Sequence, residues 1–136
     1  MLKNAKEDHH KHRIMFVDDE IDILDVVARG LESFGFEVHA FSNPLKALSL
    51  FRLRYYDAIV LDIRMPEMSG FELARKFWQI DPSSTICFFS AFEGYENEAL
   101  RIFFNKDLCF VRKPASIGEL ARHITRHLSS EAAVSH

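Results

Sequence analysis

Carboxylates at positions 18, 19 and 62, a hydroxyl at 90 and an amine at 113 are the groups of this chain best suited to chemistry. They lie in four short motifs: Val17-Asp18-Asp19-Glu20, Leu61-Asp62 followed by Met65-Pro66-Glu67-Met68-Ser69-Gly70, Phe89-Ser90-Ala91, and Val111-Arg112-Lys113-Pro114. Three carboxylates drawn together repel by about 3 kcal/mol per pair at roughly 5 Å in an effective dielectric of about 20, so a cation must offset them. Magnesium suits the task, being a hard ion that takes oxygen ligands and keeps several waters. Asp19 and Asp62 are the expected direct ligands, Asp18 binds through water, and the backbone carbonyl of Arg64 completes the protein's share. With the ion in place, Asp62 can act as a nucleophile toward phosphorus and form an acyl phosphate. Lys113 would pair with the carboxylate before transfer and with a phosphoryl oxygen after it, and Ser90 would donate a hydrogen bond to another. Such a site works by positioning and electrostatics, with little need for a general base.

These groups can cooperate only if the elements that carry them converge. Ile14 to Val17 is a short apolar run, followed by a helix pattern with Ile23, Leu24, Val27, Leu31 and Phe34 on one stripe and Gly35 as its stop. Phe36 to Phe41 reads as a strand, and Ser42-Asn43-Pro44 supplies a cap and a first-turn proline for a helix from Leu45 to about Arg54. Asp57 to Asp62 is a third strand, whose unbroken apolar centre suits burial on both faces of a parallel sheet. A helix striped by Phe71, Ala74, Phe77 and Trp78 ends at Asp81-Pro82. Then come a strand Thr85 to Ser90, a looser helix from Tyr95 to about Phe104, a strand Leu108 to Val111, and a last helix with Ile117, Leu120, Ala121, Ile124 and Leu128 inside. Strand and helix alternate throughout, which calls for right-handed crossovers onto both faces of one parallel sheet. In such sheets ligands bind beyond the carboxyl ends of the strands, where the strand order reverses. That rule selects Asp18, Asp19, Asp62, Ser90 and Lys113.

Size and composition narrow the remaining classes. At 136 residues with 48% hydrophobic content and 13 Phe, the chain has material for one well-filled core and no second domain. A formal net charge of −3 lacks the basic footprint that attracts nucleic-acid phosphates, so direct nucleic-acid binding is disfavoured. No apolar stretch approaches the roughly 18 residues of a membrane span, and the polar N-terminus does not read as a signal peptide, so membrane insertion is not expected and a cytoplasmic location is. Cys87 and Cys109 sit in apolar strand-like runs and read as reduced core residues. Residues 1–12, with His9, His10 and His12, read as a flexible arm, and residues 130–136 as a tail. His123 and His127 have the spacing of paired metal ligands on a helix, but a polar helix face near a C-terminus accounts for them better.

All four motifs, in order and at strand ends over residues 13–129, resemble the receiver domain of two-component response regulators, including its stand-alone, chemotaxis-regulator-like members. The resemblance implies a flavodoxin-like, doubly wound sheet of five parallel strands in the order 2-1-3-4-5 with five helices. It implies Asp62 as phosphoacceptor, Asp18 and Asp19 as the acidic magnesium pair, Ser90 as the switch hydroxyl, and Lys113 before a cis proline. It further implies a phosphohistidine donor on a sensor histidine kinase or phosphotransfer protein, and no enzymatic activity beyond self-catalysed phosphotransfer and autodephosphorylation. Output would come from an effector docking on the face of the fourth helix, fifth strand and fifth helix, or from a homodimer there. The aromatic group Phe92, Tyr95, Phe103, Phe104 and Phe110 concentrates around that face. Alternatives are a phosphorelay intermediate or a receiver cut from a longer protein.

The chain also departs from the family pattern. The second switch position is Phe110, which has no hydroxyl, and its ring is expected to swing inward as Ser90 moves toward phosphate. Arg64 and Phe92, two residues beyond Asp62 and Ser90, are bulky where an attacking water must pass, which predicts a long-lived acyl phosphate. An aspartyl-phosphate phosphohydrolase would carry a second acid where Arg64 stands. A flavin site would need a phosphate-cradling loop where Asp18-Asp19-Glu20 instead repels phosphate.

Overall fold

A computed structural model of the chain describes residues 11–91 and 94–134, with residues 129–134 described by backbone alone. Strands β1 (Arg13–Val17), β2 (Glu37–Phe41), β3 (Ala58–Leu61), β4 (Ile86–Ser90) and β5 (Cys109–Arg112) alternate with helices α1 (Ile21–Ser33), α2 (Pro44–Leu50), α3 (Gly70–Ile80), α4 (Tyr95–Ile102) and α5 (Ile117–Val134). The strands form one parallel sheet, as the alternation predicts, in the order β2-β1-β3-β4-β5 that the resemblance implies. Every residue of β3 and β4 is buried, whereas the edge strand β2 is mostly half-exposed. The continuous apolar runs thus mark the sheet's interior.

Because side chains alternate across a strand, the sheet divides the core in two. Met15, Val17, Ile59, Leu61, Ile86 and Phe88 point to one face, where Ala47 of α2, Leu73, Phe77 and Trp78 of α3 and Ala99 of α4 cover them. Ile14, Phe16, Val60, Phe89 and Val111 point to the other, against Val27 and Leu31 of α1 and Leu120 and Ile124 of α5. Phe16 and Phe77 are both 0% exposed, and each such ring removed from water contributes about 1.5–3 kcal/mol.

Local signals fix the helix ends. The Asn43 side chain accepts hydrogen bonds from Leu45 N (2.8 Å) and Lys46 N (3.3 Å), with Pro44 in the first turn. Gly35 takes φ +97° just past α1, a conformation that favours glycine. Helix α2 stops at Leu50, earlier than the sequence pattern predicts, because Phe51 turns extended (ψ 137°) and drives its ring into the core. Arg54 then adopts φ +61°, and its N–H donates to Asp81 Oδ2 at 3.0 Å. Helix α5 runs on through Val134, past the expected boundary at 129, over a stretch containing the good helix formers Glu131, Ala132 and Ala133.

The reading of two reduced cysteines needs correction. Cys87 and Cys109 are register partners on β4 and β5, with Cα atoms 4.4 Å apart, and a disulfide joins them. Their burial follows the expectation at 1% and 2% exposure, but their pairing depends on which strands are neighbours, which no cysteine spacing encodes. Residues 1–10, including His9 and His10, lie outside the described residues, while His12 is exposed and faces Asp57 at 3.5 Å.

Candidate functional site

The register of β1 and β3 places Val17 beside Leu61, so Asp18 and Asp62 leave the sheet side by side. Asp62 N donates to Val17 O at 3.0 Å, and Asp18 N donates to Phe41 O at 3.1 Å, tying the site to three strands. Asp19 joins them: one carboxylate oxygen from each of Asp18, Asp19 and Asp62 can be chosen so that all lie within 4.8 Å of one another. Among the described residues this is the one group of three or more His, Cys, Asp or Glu side chains so gathered. On the other side, Ser90 ends β4, buried at 6% exposure, and its carbonyl accepts from Lys113 N at 2.8 Å. The Lys113–Pro114 peptide is cis, as expected, and the lysine side chain reaches back over the sheet edge.

Lys113 Nζ donates to Asp18 Oδ2 at 2.9 Å and lies 3.9 Å from Asp62 Oδ1. Sequence reasoning pairs the lysine with Asp62; in the structure its short contact is to Asp18, and Asp62 is the more distant partner. Asp18 is 0% exposed and its other oxygen, Oδ1, accepts from Glu20 N at 3.0 Å, so each oxygen of this carboxylate has one protein partner and keeps a further lone pair for a water. Asp62 Oδ1 accepts from Ile63 N at 2.9 Å. Burial pushes the Asp62 carboxyl up to about 6, with the Asp18 charge adding to the rise and the Lys113 ammonium opposing it. Three carboxylates against one ammonium leave an excess of negative charge that a divalent oxygen-seeking cation would balance, so the donor set fits the ion inferred from the sequence.

A crevice of about 490 Å³ opens beside this cluster, lined by Asp19, Arg64, Met65, Pro66, Tyr95 and Glu98 among others. Arg64 is exposed at its rim; Phe92, the other residue expected to flank the path of water, lies outside the described residues. Phe110 is half-buried and already stacked on Phe88, with ring centroids 5.3 Å apart and planes at 27°. Phe103 is buried in the same aromatic cluster, whereas Phe104 is 84% exposed. His127 Nδ1 meets the His123 carbonyl at 3.1 Å, and burial, with the Arg126 charge, holds His123 below the ordinary histidine range. That arrangement fits a helix face better than a pair of metal ligands.

The family model described as the response regulator receiver domain matches residues 14–125. The response regulator receiver protein CpdR of Brucella abortus (strain 2308) is 30% identical over 120 residues, covering 85% of this chain and 96% of that protein. The regulatory protein AtoC of Escherichia coli (strain K12) is 30% identical over 123 residues, 89% of this chain but 26% of its own length. The chain therefore spans nearly all of one relative and about a quarter of another. A receiver domain protein from Clostridium thermocellum superposes with a TM-score of 0.79 at 24% identity, covering 90% of this chain and 98% of that one. A CheY-like receiver domain protein from Methanospirillum hungatei JF-1 does so with a TM-score of 0.77 at 25% identity.

Proposed function

Because this chain belongs to the response regulator receiver domain family, we propose that it is a phosphorylation-driven switch of two-component signalling whose phosphoacceptor is Asp62. The observation that carries this reading is the site's charge geometry: three carboxylates within 4.8 Å, with the Lys113 ammonium bound to one and 3.9 Å from another.

A carboxylate oxygen of Asp62 attacks the phosphorus of a phosphohistidine on a sensor kinase or phosphotransfer protein. The Asp62 O–P bond forms, the histidine N–P bond breaks, and the departing imidazole keeps the electron pair and takes up a proton. Asp19, Asp62 and the Arg64 carbonyl would hold magnesium, with Asp18 acting through water, and the ion would offset the negative charge that builds on the phosphoryl oxygens. Lys113 exchanges part of its bond to Asp18 for a phosphoryl oxygen, and Ser90 donates to another. Burial of Asp62 favours its neutral form, so positive charge entering the site favours the ionised nucleophile. Arg64 at the rim narrows the approach of water and lengthens the life of the acyl phosphate.

Output passes to a protein that docks on the face of α4, β5 and α5, or the phosphoryl group moves on along a relay; the homodimer is a further arrangement of the same face. The relatives' lengths support both a stand-alone regulator and the receiver portion of a longer protein. A cytoplasmic location suits a histidine-kinase partner, and among the described residues no helix is long and apolar enough to cross a membrane.

Incubation with phosphoramidate or acetyl phosphate and magnesium should yield a single phosphoryl adduct by intact mass, absent with a chelator and absent in Asp62→Asn. An adduct that persists in Asp62→Asn, or none in the native chain, would remove Asp62 from this role.

A further inference from the structure

Gly70 opens α3, yet glycine in a helix is disfavoured by about 1 kcal/mol relative to alanine, so its presence needs a local reason. Backbone conformation is not that reason, since the glycines with positive φ are Gly35 and Gly94. Space is. A Cβ built on Gly70 would sit 2.2 Å from the backbone oxygen of Asp62, 2.9 Å from Ile63 Cα and 3.0 Å from Asp62 C. The obstruction is main chain, which cannot rotate aside as a side chain can. Gly70 N also donates to Ile63 O at 2.7 Å, closing the loop that contains the Arg64 carbonyl. Behind it, Ser69 Oγ accepts from Glu72 N at 3.1 Å and Ser69 O accepts from Leu73 N at 3.0 Å, which makes the first turn of α3 a stiff wall.

We infer that Gly70 is a positioning residue: its missing side chain lets α3 seat directly on the backbone of Asp62 and thereby fixes the nucleophile and the loop that supplies a metal-binding carbonyl. This rests on Asp62 being the phosphoacceptor. Widening a 2.2 Å separation to an allowed contact moves the Asp62 backbone by about 1 Å, and misplacement on that scale costs about a hundredfold in rate. Metal affinity should fall by about tenfold or more, as when other supports of ligand residues are removed.

Gly30 provides a matched comparison, because the three atoms nearest to a Cβ there all belong to the Ile117 side chain, the first at 2.3 Å, and none to the backbone of Asp62 or its loop. The experiment compares the native chain, Gly70→Ala and Gly30→Ala, with three readouts: Mn²⁺ binding followed by the electron paramagnetic resonance of the free ion, the rate of adduct formation at saturating acetyl phosphate and magnesium, and folding by circular dichroism. Gly70→Ala is expected to stay folded, to lose about a hundredfold in the saturated rate and to weaken Mn²⁺ binding, while folded Gly30→Ala keeps both. Equal behaviour of the two variants overturns the inference. If Gly70→Ala does not fold, Ser69→Ala is compared with Asn43→Ala, an equivalent cap removal on α2. A larger loss of Mn²⁺ affinity in Ser69→Ala supports the positioning role, and equal losses refute it. Should the native chain itself neither bind Mn²⁺ nor form an adduct, the assignment of Asp62 fails, a result distinct from a native-like Gly70→Ala.

Discussion

Replacing Asp62 with Asn should make the metal-free protein more stable at neutral pH. The carboxyl lies at about 6 in the folded chain against an ordinary value of 3.8, chiefly because burial penalises its charge. Between those two values the native state holds the proton more tightly than the unfolded state, so stability falls as pH rises through the window and the loss is complete above about pH 6. The gap between about 6 and 3.8, at about 1.4 kcal/mol per pH unit, corresponds to about 3 kcal/mol. Asn is neutral at every pH and nearly the same shape, so it should recover most of this, about 2 kcal/mol after allowing for imperfect hydrogen bonding of the amide. For a chain of this length that is a rise of about 8 °C in melting temperature. The assay is thermal and urea unfolding of both proteins from pH 4 to pH 8, with and without magnesium. The gain of Asp62→Asn should shrink toward pH 4, where the native carboxyl is protonated in the fold, and should narrow at pH 7 when magnesium stabilises the native chain. A variant no more stable than the native protein at pH 7 without metal, or a gain that is flat with pH, would refute this account of the site's electrostatics.

Lys113→Ala should act in the opposite direction, destabilising the metal-free fold by about 3 kcal/mol in urea unfolding, because it leaves the fully buried Asp18 charge without its cation; lower pH or added magnesium should restore part of the loss. The same variant should shift the Asp62 titration further upward, since the ammonium is the main influence holding it down, as NMR of the carboxyl carbon can check. Asp81→Ala, at the far end of the sheet, should cost about 3 kcal/mol by stranding the N–H groups of Arg54 and Ser83 and the Ser83 hydroxyl, while leaving phosphoryl adduct formation in the folded fraction unchanged.

The parts of the molecule that were legible in the sequence share one property: they depend on short stretches of chain. Ile14–Val17, Ala58–Leu61 and Ile86–Phe89 announce buried parallel strands because no polar residue interrupts them, and a parallel sheet puts whatever follows them on one edge. Convergence of Asp18, Asp62, Ser90 and Lys113 on that edge therefore follows from topology alone. What stayed hidden depends on contacts across the fold. The preference of Lys113 for Asp18 over Asp62 is a matter of about an ångström at the end of a four-carbon stem. The Cys87–Cys109 pairing needs the knowledge that β4 and β5 are neighbours in register. Helix α2 carries apolar residues beyond Leu50 that look helical, but Phe51 is drawn out of the helix by the core pocket against Phe77, 4.5 Å away. Gly70 reads as a turn residue until α3 is seen resting on the backbone of Asp62.

The ring of Phe110, stacked on Phe88 and lacking a hydroxyl, bears on how any docking protein could read this domain. A partner covering β5 meets hydrocarbon at that position whichever way the ring turns, so it gains no hydrogen-bonding enthalpy from one orientation over the other. Discrimination between the two forms would then rest on how much carbon surface is dehydrated on docking, and its calorimetric mark would be a difference in binding heat capacity.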